Sequence, residues 1–203
     1  GMPAVVLDHM SARIADGRDQ LARGIISHVN GAAEALGCRV GESCRDCARR
    51  MAGAGQWQGS APAFGESRFL LRARDGEPQV WGVDSTSLVR PEDKGAVMIT
   101  ASHGAIFGSA ENKPIAGPPL AVIFNDAGVG ADDCGVARLP ALDGEGVIAA
   151  TVGAATARIG DARSAWESGI ISHANALAEA AGIMPGDNLE AFADKAIARG
   201  QGA

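Results

Sequence analysis

The chain has 203 residues, 46% of them hydrophobic and 21% charged, enough to bury a sizeable core in one domain or two small ones. Its net charge of −6, with no Lys/Arg cluster to override it, excludes a phosphate-backbone binder and hence a nucleic-acid partner. No apolar run is long enough to span a bilayer and no signal peptide is visible, so the expectation is a cytoplasmic protein with no membrane partner.

Gly1 before Met2 reads as a tag-cleavage scar. Residues 4–8 (AVVLD) suit a short buried strand. After the loop HMSARIAD, a helix is expected from Gly17 to Leu36, because Leu21, Ile25, Val29, Ala32 and Leu36 fall on one stripe at helical spacing. Asp16 is placed to cap it and Gly37 to end it. A second helix follows over Glu42–Met51. Cys38, Cys44 and Cys47 lie in a spacing that zinc or redox sites use. Core packing is the better reading, since the residues 145 positions later are Ile183, Leu189 and Phe192, and no fourth ligand is evident.

Residues 52–67, rich in Gly, Ala and Ser, read as a surface connection. RFLLRARDGEPQVWGVDS then gives two apolar runs around a turn, a β-hairpin. From residue 95 the pattern becomes strand, loop and helix. AVMITAS (96–102), LAVIFND (120–126) and VIAATV (147–152) are buried strands, and a short helix is expected over Asp132–Leu142, bent by Pro140. Helices over 162–181 and 187–198 close the chain. The expected fold class is α/β: a mainly parallel buried sheet covered by helices on both faces, with a β-hairpin.

The segment ARIADGRDQLARGIISHVN (12–30) recurs as ARIGDARSAWESGIISHAN (157–175). Aligned without gaps over 4–51 and 149–196, 18 paired residues are identical. An incomplete internal duplication with pseudo-two-fold packing follows. A single compact domain, 2–203, is expected, made of a partial copy (4–51), the connection and hairpin (52–94) and a full copy (95–203). The first copy lacks the strands that precede the unit in the second, unless translation begins before Met2. No dinucleotide, P-loop or hydrolase fingerprint is present.

In open α/β sheets ligands bind beyond the carboxyl ends of the strands. Three loops leave such ends, and they supply an imidazole, a carboxylate, an amide and a guanidinium. His103 is the candidate general acid or base, its alternative being a loop anchor bonded to backbone. Asp126 would orient it, or else cap the next loop through backbone N–H groups. Ser102, Gly104, Asn125, Gly128 and Arg158 are the candidate substrate-binding residues, the glycines offering backbone N–H groups and Arg158 matching an anion. Asp132 and Asp133 read as helix caps rather than metal ligands.

The repeat-matched residues Arg13, Asp16, His28, Asn30, Asp161, His173 and Asn175 are expected to be structural. Arg13 and Arg158 would pair with Asp16 and Asp161, three residues on. The histidines would sit at the edge of the helical stripe, with Gly169 and Ser172 beside His173 admitting a close neighbour. The asparagines would reach the other copy or another subunit. The combined expectation is a small-molecule enzyme of hydrolase, lyase or isomerase type, acting on an anionic metabolite with no cofactor or metal, as a homo-oligomer. The alternatives are a non-catalytic ligand-binding or regulatory module and an oligomeric scaffold protein.

Overall fold

A computed structural model describes residues 1–55, 59–60, 65–106 and 117–202. The connection expected over 52–67 and the loop after His103 therefore lie partly outside the described residues. The chain divides into two compact units. The first holds the described residues up to Ser60 together with Gly130–Cys134; the rest form the second.

The first unit contains β1 (Val5–Leu7), α1 (Gly17–Arg23), β2 (Ile26–Val29), α2 (Gly31–Ala35) and α3 (Cys44–Ala52). β1 and β2 make a two-stranded antiparallel sheet. Its core is Ile26, Ala33, Cys38 and Cys47, with Val5, Leu7, Val29 and Met51 packed against it. The two cysteines act here as small apolar side chains. Burial, followed by the Glu42 carboxylate, pushes the Cys47 thiol up to about 11, which keeps it protonated.

The second unit contains β3 (Arg68–Arg72), β4 (Val80–Val83), β5 (Val97–His103), β6 (Ala121–Asn125), α4 (Leu139–Gly144), β7 (Ile148–Val152), α5 (Ala162–Ser168), β8 (Ile171–Ala174), α6 (Ala176–Ala180) and α7 (Leu189–Gln201). Its six strands follow chain order from β3 to β8. β4 to β7 are parallel, while β3 and β8 pair antiparallel at the two edges. The protein is thus α/β with a mixed, mostly parallel sheet, and the expected hairpin is β3–β4. Alternate residues of the central strands feed two clusters, as a period of two requires. Val97, Ile99, Ile123 and Ala150 pack with Phe192 of α7 and Ala165 of α5. Met98, Val122, Phe124 and Ala149 pack with Leu139 and Leu142 of α4.

The long helices expected over Gly17–Leu36 and 162–181 do not form. Each is a helix, a strand and a second short helix, so His28 and His173 lie on strands β2 and β8 rather than on a helix edge. Gly24 and Gly169 cause the break. Both close their helices with extended backbone, and a Cβ would lie 2.4 Å from the Gln20 carbonyl or 2.3 Å from that of Ala165. The β-branched isoleucines that follow fit a pleated strand better than another helical turn. The apolar stripe was incidental: Leu21 and Ile25 are 41% and 40% exposed.

Local hydrogen bonding recurs at the same offset of 145 residues. Val6 faces His28 and Thr151 faces His173 across their antiparallel pairs. Asp16 and Asp161 cap α1 and α5. Asn30 Oδ1 accepts the Ala33 and Ala4 N–H groups while Nδ2 donates to Met2 O. Asn175 Oδ1 accepts those of Ala178 and Ala149, and Nδ2 donates to Val147 O. These amides thus cap α2 and α6 and hold the start of the neighbouring strand, which replaces the distant contact expected of them.

No helix extends over Asp132–Leu142. Asp132 and Asp133 have left-handed φ of 57° and 55° inside a kinked 3-10 segment, and Pro140 lies in the first turn of α4, where its missing N–H costs nothing. Among the described residues, no helix is long and apolar enough to cross a membrane.

Asn175 is buried whereas Asn30 is exposed, so the same three bonds should differ in worth. Asn175→Ala strands three backbone groups without water and is expected to cost about 3 kcal/mol. Asn30→Ala is expected to cost about 1 kcal/mol, the usual value of a lost cap. Urea unfolding of the two variants checks this, and equal losses would contradict it.

Candidate functional site

The parallel register aligns three strand ends. His103 on β5 pairs with Asn125 on β6, and Asn125 pairs with Val152 on β7. His103, Asn125, Asp126 and the segment after Val152 therefore gather at the carboxyl end of the sheet, where α/β proteins place ligands.

Asn125 and Asp126 are buried there, at 1% and 5% exposure, and both are fastened to backbone. Asn125 Nδ2 donates to Ala157 O at 3.1 Å, and its Oδ1 accepts the Ala127 N–H. Asp126 Oδ1 accepts the N–H groups of Gly128 at 2.9 Å and Ala154 at 2.8 Å. Two consecutive side chains, the last of β6 and the first beyond it, thus pin the loop leaving β7 and shape their own loop. That loop holds Ala127 and Val129 at φ of 50° and 65°, a conformation that a β-branched residue adopts only under external constraint. Gly135 packs so closely that a Cβ would lie 2.0 Å from the Asp126 carbonyl.

His103 Nδ1 is met by the Ala105 N–H at 3.3 Å, not by Asp126. With Nδ1 accepting, the neutral ring carries its proton on Nε2. Burial, and then the positive charge of Arg138, hold its pKa below the ordinary 6.5. Ser102 Oγ accepts the Thr86 N–H. The Gly104 N–H donates to Asn125 O and that of Gly128 to Asp126, so both are used within the protein.

Arg158 stands apart from this cluster. It lines an open cleft of about 620 Å³, together with Asp161, Arg163, Ser164, Glu167 and Ser168 and residues 154–157. His103, Asn125 and Asp126 are not among the lining residues. Asn125 and Asp126 nevertheless hold its wall, through Ala157 and Ala154. Arg163 stacks on Phe69 at 4.0 Å, and Asp161 Oδ1 caps α5 through Ser164 N. The expected Arg158–Asp161 and Arg13–Asp16 ion pairs are not formed. Arg13 instead reaches Asp132 at 2.9 Å, which Arg23 also binds, and the Arg23 hydrogen bond holds the Asp132 carboxyl below its ordinary range. Among the described residues, Arg158 and Glu167 have no ion-pair partner.

Two features were not read from the sequence. Arg138 is buried, 7% exposed, and its only sequence signal is a lone charge within GVARLPAL. Arg68 is the second, joined to buried Asp93 by bonds of 2.6 and 2.9 Å and stacked on Trp81 at 4.2 Å. His28 Nδ1 meets Ser27 Oγ at 3.1 Å, whereas His173 Nδ1 is buried without a partner among the described residues. No group of three or more His, Cys, Asp or Glu among the described residues could hold a metal ion.

Because the folded state lowers the pKa of His103, it binds fewer protons than the unfolded chain below pH 6.5. Stability tied to this residue is thus intact above that value and falls as acidification carries the pH through the depressed folded pKa. His103→Gln should lose less stability than wild type when chemical denaturation is repeated from about pH 7.5 to about pH 5, around the ordinary histidine range. Parallel curves would contradict this assignment. Comparisons with protein-family models, curated proteins and solved structures return no match, so the functional reading rests on this geometry.

Proposed function

We propose that this protein binds a small anionic molecule in the cleft lined by residues 154–168. The observation that supports it is the unequal fate of two matched arginines. Arg13 is neutralised by Asp132, while Arg158 faces open volume with no carboxylate against it among the described residues. A guanidinium offers a planar set of donors suited to carboxylate or phosphate, and about 620 Å³ lies within the range of small-molecule sites. Glu167 adds an acceptor, which favours a ligand that also carries a hydrogen-bond donor. Asn125 and Asp126 act as positioning residues, fixing the loop so that little order has to be gained on binding.

The same reading treats residues 4–51 and 149–196 as copies of one duplicated unit. The recurrence of strand register, caps and asparagine bonds at one offset supports this, and the neutralised arginine marks the copy that serves structure. A second reading is acid–base catalysis on such an anion by His103. It is favoured by an imidazole kept neutral near pH 7 at the carboxyl end of β5. Asp126 Oδ1 is committed to backbone, and the ring's Nδ1 is met by the Ala105 N–H.

Calorimetric titration with a panel of small mono- and dicarboxylic acids, amino acids and inorganic phosphate tests the binding reading. At least one member should bind wild type, and Arg158→Ala should weaken it about tenfold or more, as loss of a charged hydrogen bond does. Arg13→Ala should leave the affinity unchanged. Absence of binding across the panel, or equal binding to Arg158→Ala, counts against it. Recovery of a chemically altered panel member by NMR, lost in His103→Gln while binding persists, selects the catalytic reading.

A further inference from the structure

The geometry points to Arg138 as the counter-charge of a bound carboxylate at the carboxyl end of β5, a site separate from the Arg158 cleft. Arg138 directly precedes α4, its backbone N–H donating to Gly104 O at 2.9 Å. Its guanidinium lies inside the unit, 5.1 Å from the Phe124 ring centroid, and Nη2 donates to Ala105 O at 3.0 Å. Nε is buried and has no acceptor among the described residues. No carboxylate of the described residues lies within ion-pair distance, and Glu145 acts on it only through space.

A desolvated cation is costly unless paired, and a buried N–H without an acceptor adds to that cost. The unit contains its own comparison. Arg68, whose side chain is also mostly withdrawn from water, is matched by the bidentate Asp93 carboxylate. Among the described residues, Arg138 is met by a carbonyl and an aromatic face, which supply partial negative charge only. An oxyanion would complete this set, and the charge balance of the described residues sets its kind. One cation beside a neutral imidazole balances a monoanion, whereas a phosphate dianion would leave net negative charge in a poorly solvated place. A carboxylate also matches the planar guanidinium.

The test uses the intact chain, with sodium acetate as probe and inorganic phosphate and chloride as controls at equal ionic strength. The Nε–Hε correlation of Arg138, assigned through its backbone, reports directly on the orphaned donor. Acetate is expected to shift it saturably and to raise the thermal midpoint, with phosphate and chloride doing neither. Arg158→Ala, which removes the cleft arginine on which the binding proposal rests, should keep the full acetate response, so failure of the cleft reading and failure of this one are distinguishable. Arg138→Met should lose the midpoint rise. An Nε–Hε signal that acetate leaves unmoved overturns the assignment, whether or not Arg138→Met folds. So does an equal response to phosphate, or an acetate response that persists in Arg138→Met.

Discussion

Two consecutive side chains at the end of β6 hold the candidate site together. Asn125 and Asp126 lie where a parallel strand ends and its backbone groups lose their partners. Between them they bond four backbone groups: two N–H groups of their own loop, one N–H beyond β7 and one carbonyl beside the cleft. A carboxylate withdrawn from water is stable only when hydrogen-bonded, and here that need is met by ordering loops. The left-handed conformations of Ala127 and Val129 persist because these contacts over-determine them. Local strain of this kind is tolerated where surrounding structure compensates, and it concentrates at functional sites.

Charge is distributed unevenly over this framework. Most arginines with a defined partner lie at or near the surface, as Arg23 and Arg50 do, where pairing adds little to stability. Among those that depart from that pattern, Arg68, Arg138 and Arg158 do so in different ways. Arg68 is covered and fully paired. Arg158 is exposed and unpaired within a cleft. Arg138 is covered and unpaired by any carboxylate among the described residues. The last two are positive charges with no carboxylate against them among the described residues of the second unit, a local feature that a net charge of −6 conceals.

The parts legible in the sequence were those set by short-range pattern. β5, β6 and β7 were recognised because their apolar runs are long enough to be buried on both faces, and the β3–β4 hairpin because its turn residues are distinctive. The recurrence of the ARI-x-D and GIISH-x-N letters is visible in the sequence itself, and Asp16 was correctly read as a cap. The GIISH stretch was misread because Leu21, Ile25 and Val29 match a helical stripe by coincidence. The decisive fact, that Gly24 and Gly169 lie against a carbonyl with no room for a side chain, depends on three-dimensional approach. The candidate site divided in the same way. The three strand ends were found from topology rules, but which donors remained available depended on long-range bonds such as Asp126 to Ala154. Arg138 escaped notice because burial is not encoded by a single charged letter.

The matched asparagines have a consequence for dynamics. Ala33 and Ala178 donate to their asparagines over the same 2.9 Å, from the same position in the same cap, yet one asparagine is exposed and the other is buried. Hydrogen-bond geometry is therefore held constant while access to water changes. The pair forms an internal gauge: a difference in amide-hydrogen exchange between Ala33 and Ala178 measures how readily each unit opens around its cap, apart from how well the bond itself is made.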